Sequence, residues 1–179
     1  ILKYAPVTHQ PIIGPVSHGK TVSMAVSRTD AATLAVTGRP SVLTNRGDES
    51  VWLTRDAGKT WINATGNLRA ATQAVGQTRP SALELVDVDG KSALLVGTVS
   101  GVYVTWTTDT WLGVWSRLGT CAELPLVLTM GLSYEPHSDT LVAATFGRGV
   151  FVLRGTKAAL ATAAAQHAQE LGVLVGEEA

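Results

Sequence analysis

Apolar residues in this chain come in short alternating runs, and the runs recur in threes. Thr33-Leu34-Ala35-Val36-Thr37-Gly38, Ala93-Leu94-Leu95-Val96-Gly97-Thr98 and Thr140-Leu141-Val142-Ala143-Ala144-Thr145 are versions of one pattern. A second run follows each, at Ser50-Val51-Trp52-Leu53, Gly101-Val102-Tyr103-Val104 and Gly149-Val150-Phe151-Val152. An alternating or apolar run precedes each, at Val22-Ser23-Met24-Ala25-Val26, Ala82-Leu83-Glu84-Leu85-Val86 and Leu128-Thr129-Met130-Gly131-Leu132. Runs of this length and period, bounded by polar turn residues, predict strands. Trp61 and Trp115 each open a fourth strand in the first two units.

Turn chemistry supports the division. Asp89-Gly90 is a strong hairpin signal between the first two strands of the middle unit. Arg28-Thr29-Asp30 and Pro136-His137-Ser138-Asp139 hold the same place in the others, and residues 39 to 49 form an added polar loop in the first unit. The third unit has no fourth strand: Leu153 leads into Arg154-Gly155-Thr156 and an Ala-rich stretch. The segment Leu2-Lys3-Tyr4-Ala5-Pro6-Val7 either supplies that strand or finishes a preceding unit. Residues 157 to 171 favour helix by composition, with only Leu160 and Leu171 as large apolar anchors, so a peripheral or frayed helix and an acidic tail are expected.

The most specific motif is Thr54-Arg55-Asp56-Ala57-Gly58-Lys59-Thr60-Trp61, a full match to the Asp-box pattern. Each fixed residue type has a mechanical reason. Asp and Thr side chains bond nearby backbone amides and lock a tight turn. Gly58 supplies a positive φ, and Trp61 is expected to drive its ring into the core as the next strand begins. This element resembles the hairpin between the third and fourth strands of a blade in Asp-box (BNR repeat) β-propellers. Sialidases, sortilin-type receptors, xyloglucan-cleaving glycosidases and a photosystem assembly factor are built this way. The sequence Phe146-Gly147-Arg148-Gly149-Val150 is similar to a Gly-Arg-Gly ending common in those propellers. Thr107-Thr108-Asp109, with Trp111 where Gly is wanted and Trp115 one residue late, reads as a decayed second box.

The resemblance implies an all-β fold of about three four-stranded antiparallel blades, with a short C-terminal helix. Four short strands per unit of roughly 40–60 residues agree with it. Residues 1–19 form an N-terminal segment or the end of a preceding blade, 20–156 the blades, and 157–179 an Ala-rich helical tail. Three units fall short of the four blades typical of a closed propeller. The chain is therefore expected to be the C-terminal portion of something longer, an open stack, or a chain whose remaining blades are supplied by a partner.

Composition narrows the chemistry. With 14 Lys plus Arg against 14 Asp plus Glu among 179 residues, the chain lacks the electrostatic footprint of a nucleic-acid binder. Its apolar fraction of 45% is enough for a modest core, and its longest uncharged run alternates like strands rather than a membrane span. Cys121 is alone, which rules out an internal disulfide. Asn63-Ala64-Thr65 is an N-glycosylation sequon, meaningful only on a eukaryotic secretory route. The family resemblance favours a secreted or extracytoplasmic location.

Candidate sites are fewer than the motifs. Gly14-Pro15-Val16-Ser17-His18-Gly19-Lys20-Thr21 spells a P-loop, but Val22, Met24 and Val26 alternate as a strand where a phosphate cradle needs a helix start. Arg148, Trp106 and Trp111 are candidate ligand contacts; the two indoles fall in the altered loop, where exposed rings would stack on sugar faces. Thr54, Asp56, Gly58, Thr60 and Trp61 are expected to be structural. Asp87 and Asp89 border a turn, whereas a glycosidase needs two carboxyls facing across the scissile bond. Sialidase-type chemistry has raw material in Arg39, Arg46, Arg148, Tyr103, Tyr134 and Glu135, yet no catalytic set assembles from it. His9, His18, His137 and His167 have no metal-ligand spacing, and no cofactor is expected. The expectation is a non-catalytic binding or scaffold propeller segment facing a glycan or protein. The alternative is the C-terminal part of a sialidase- or xyloglucanase-like glycoside hydrolase whose catalytic residues lie outside this chain.

Overall fold

The computed structural model describes residues 19–40, 50–72, 78–108 and 112–165. Its strands form three antiparallel sheets. Sheet A runs in the order β1 (Gly19–Val26), β2 (Leu34–Pro40), β3 (Ser50–Thr54), β4 (Ile62–Asn63). Sheet B repeats that order with β5 (Ala82–Val88), β6 (Lys91–Thr98), β7 (Gly101–Trp106) and β8 (Ser116–Arg117). Sheet C has three strands, β9 (Thr129–Glu135), β10 (Thr140–Thr145) and β11 (Gly149–Arg154). A one-turn helix α1 (Leu68–Ala71) lies between sheets A and B, and a second helix, α2, covers 156–165. Every predicted strand that falls on described residues overlaps an observed one, with ends off by up to three residues, as at the start of β1 and the end of β9. The added loop of residues 41–49 and the segment Leu2–Val7 lie outside the described residues.

Local chemistry sets the hairpins. Asp89 and Gly90 both adopt positive φ, +48° and +76°, the geometry of a tight turn whose twist matches its flanking strands. In the β1–β2 connection, the Asp30 carboxylate accepts from Ala32 N at 3.0 Å and Thr33 Oγ1 at 2.7 Å, so the side chain closes the turn.

Stacking of the sheets is read from alternate residues. The first strands adjoin one another, β1 beside β5 and β5 beside β9. Between sheets A and B, Ala25, Ala35, Val51 and Leu53 meet Leu83, Leu85, Leu94, Val96 and Tyr103. The opposite face of sheet B carries Val86, Leu95, Val102, Val104 and Trp106, which meet Tyr134, Leu141 and Ala143 of sheet C. Sheet B is thus covered on both faces, and β7 is buried at every position. That explains why its strands read as continuous apolar runs while those of sheet C alternate.

Two expectations need correction. The Ala-rich segment is no frayed appendage: Leu160 is fully buried, and Ala159, Ala163 and Ala164 pack against the core between sheets B and C. Small Ala side chains let the helix approach closely, so one Leu suffices as anchor. The second correction concerns the Asp-box indole. Trp61 is half-buried rather than a core wedge, whereas Trp115, which precedes β8 as Trp61 precedes β4, is fully buried. Trp115 packs back onto sheet A, and its Nε1 donates to Ala64 O at 2.8 Å. Sheet A has no described sheet behind it, so the ring of Trp61 has nothing comparable to enter.

Trp115→Ala should cost about 3–5 kcal/mol in urea denaturation, with Trp61→Ala costing distinctly less. The reverse order would restore the Asp-box indole as the principal wedge. Leu160→Ala should cost about 2–5 kcal/mol, a loss that a frayed helix would not produce.

Candidate functional site

The Asp-box turn is built as its residue types require. Thr54 Oγ1 donates to Asp56 Oδ1 at 2.7 Å and accepts from Gly58 N at 2.9 Å. Asp56 Oδ1 accepts from Thr60 N at 2.8 Å, and Oδ2 from Thr60 Oγ1 at 2.6 Å. Ala57 and Gly58 carry positive φ, +57° and +88°, and Trp61 Nε1 closes the bend by donating to Gly58 O at 3.1 Å. With donors filling both oxygens, the Asp56 carboxyl is held at about 2, chiefly by the Thr60 hydroxyl, then the Thr60 amide and Thr54. A carboxylate so occupied is a brace.

The segment before β8 is tied to the turn that precedes α1. Asp109 to Trp111 lie outside the described residues, so Trp111 has no placement. Beyond them, Asn67 Oδ1 accepts from Trp115 N at 2.7 Å, and Asn67 N donates to Gly113 O at 3.0 Å. A Cβ at position 66 would lie 1.8 Å from the Gly113 carbonyl oxygen, so this backbone contact demands glycine.

A polar seam that the sequence pattern did not reveal crosses all three sheets. Arg28 Nη2 donates to Tyr134 O at 2.8 Å, while Glu84 Oε2 accepts from Tyr134 N at 3.2 Å. The two side chains, 4.0 Å apart, together hold the backbone N–H and C=O of one residue of β9. Burial pushes the Glu84 carboxyl up, with the Tyr134 amide and Arg28 opposing that rise. Thr29 Oγ1 and Ser92 Oγ both donate to Asp87, which ties the β1–β2 turn to sheet B. The Tyr134 hydroxyl donates to Asp139 Oδ1 at 2.9 Å and is pushed up to about 12 by burial and by that carboxylate. Glu135 accepts from His137 N, and Tyr103 OH pairs with Ser100 Oγ. Arg46 lies outside the described residues. No tyrosine hydroxyl among the described residues pairs with a glutamate.

A cleft of about 630 Å³ opens between sheets B and C beside α2. Its lining is mainly apolar, from Val102, Leu118, Leu141, Phe151 and Ala163, with Arg117 and Glu123 as its charged groups. Both charges are engaged: Arg117 donates to the carbonyls of Gly119 and Leu124, and Glu123 accepts from Thr120 N and Oγ1.

Of the proposed ligand contacts, Arg148 is exposed on the turn between β10 and β11, flanked by Gly147 and Gly149 at φ +80°. Trp106 corrects an expectation. It is the last residue of β7 rather than a loop residue, and at 9% exposure it offers no open indole face for a sugar. The P-loop reading also fails: residues 14–18 lie outside the described residues, but Gly19-Lys20-Thr21 begin strand β1, where a phosphate cradle needs a helix N-terminus. No described helix is long and apolar enough to cross a membrane. Comparison with family models, curated proteins and solved structures found no match.

Folding lowers the Asp56 pKa from 3.8 to about 2. The stabilisation is therefore complete at higher pH and is lost as pH falls through this interval. An NMR titration of the Asp56 carboxyl should give a midpoint of about 2. Thr60→Val should return it toward the ordinary value, and an unchanged midpoint in that variant would show that the turn bonds are not its cause.

Proposed function

We propose that this chain is a non-catalytic binding or scaffold segment of an Asp-box β-propeller, presenting its loops to a glycan or protein. The observation that carries the reading is the β10–β11 turn. Phe146 is 69% exposed there, and Arg148 stands exposed two residues on. An accessible aromatic face beside a guanidinium combines stacking area with a fork of hydrogen-bond donors, the composition enriched at binding hot spots. Gly147 and Gly149, both in the left-handed region, shape the turn that lifts the pair off the sheet.

The disposition of the acids supports a non-catalytic role. Asp30, Asp56, Glu84, Asp87, Glu123, Glu135 and Asp139 all accept bonds that close turns or join sheets. Glycoside hydrolysis needs two carboxyls poised across a bond, one held protonated and one free to act. Acids already occupied by backbone amides and hydroxyls suit neither task.

On glycan and peptide arrays the full chain should bind a restricted ligand set. Phe146→Ala and Arg148→Ala should each weaken that binding about tenfold or more. Melting temperature should hold in both variants, since both side chains are exposed. Binding that survives both changes, or release of reducing sugar from a glycoside by the chain itself, would overturn the reading.

A further inference from the structure

The two ends of the sheet stack carry complementary faces, and the chain itself shows how such faces join. Pairing registers make Met24, Val26, Leu34, Val36 and Trp52 of sheet A the equivalents of Leu83, Leu85, Leu94, Val96 and Tyr103 of sheet B. In sheet B that set is buried against the sheet before it. In sheet A it is open at Met24 and Val26, 63% and 46% exposed, and partly so at Leu34 and Trp52, with Val36 buried, whereas Leu83 is 4% exposed. At the other end, Val142, Val150 and Val152 of sheet C match Leu95, Val102 and Val104 of sheet B. There the contrast repeats, with Val150 at 63% exposure against 2% for Val102. Met130 adds a further exposed apolar side chain in β9 of the same sheet.

We propose that the occupant of these faces is a second copy of this chain, docked head to tail. The outer face of sheet C in one copy covers the outer face of sheet A in the other, and the reverse contact closes the pair. The A–B and B–C contacts already realise this type of interface twice within one chain, although sheet C carries Glu135 and Arg154 where sheet B has Val86 and Trp106. Repeating a third and fourth time the step that carries A onto B sets the valines of sheet C against the open apolar residues of sheet A. Heterologous contacts close into a ring only when the rotation permits. Counting the three described sheets of each chain, two copies supply six, within the range of four to eight found in closed propellers, while three copies exceed it. This ring size rests on the propeller reading, whereas the pairing of faces rests on registers and exposure alone. Half-exposed Trp52 and Trp61 are explained by the same step, since their equivalents Tyr103 and Trp115 are buried by the neighbouring sheet.

Light scattering of the full chain after size exclusion tests the proposal. Twice the chain mass is expected. Met24→Asp and Val152→Asp, at exposed positions on opposite ends, should each halve that mass, because every contact in the closed pair uses both faces. An equimolar mixture of the two variants should regain a one-to-one pair through its single intact contact. If either variant fails to fold by circular dichroism, Val26→Asp or Val150→Asp replaces it on the same face. A monomer from the unmodified chain overturns the assignment, as does a dimer broken by only one of the variants, which would mark a face paired with its own copy. A ladder of larger species overturns closure. The array measurement on Phe146 and Arg148 is independent of all these outcomes.

Discussion

Burial of sheet B on both faces is the constraint from which the rest of the structure follows. A sheet whose strands are apolar on each side cannot stand with one side wet. Each face must be met by a layer of matching shape, and sheets A and C, with α2, provide those layers. The wet faces are thereby moved to the two ends of the stack. Exposure rises from near zero in the centre to more than half at Met24, Val150 and Val152, which are apolar like their buried equivalents Leu83, Val102 and Val104. At these three positions exposure follows place in the stack.

Polar chemistry is subordinate to that layering. The carboxylates serve as braces within turns, as Asp56 and Asp30 do, or as ties between layers, as Glu84 and Asp87 do. Glu84 illustrates the physical compromise. Its charge is disfavoured by burial, yet the Tyr134 amide and Arg28 stand where a carboxylate wants partners. A buried acid kept in such company joins sheets without an apolar contact of its own.

Most of the strand plan was legible because it depends on local period and turn chemistry. Asp89-Gly90 specified its hairpin from two residues, and Thr54 to Trp61 specified a turn whose bonds the structure reproduces. Burial was less legible. Trp61 and Trp115 occupy equivalent places, and only their neighbours across the stack separate them. Trp106 misled because a strand end and a loop start look alike when the following residues are polar. The clamp of Arg28 and Glu84 on Tyr134 joins residues from three sheets, and no spacing along the chain announces it. Leu160 anchored a helix whose fit comes from the small residues around it, which composition alone does not show.

The inner strands also show how a sheet margin can be closed without another strand. Ser23 of β1 accepts from Leu83 N of β5, and Glu84 and Arg28 occupy the amide and carbonyl of Tyr134 in β9. Backbone groups that would otherwise invite an incoming peptide are therefore already capped by side chains from the adjacent layer. Misassembly through strand addition is blocked along these stretches. An incoming strand would have to displace those side chains before it could pair at Leu83 or Tyr134.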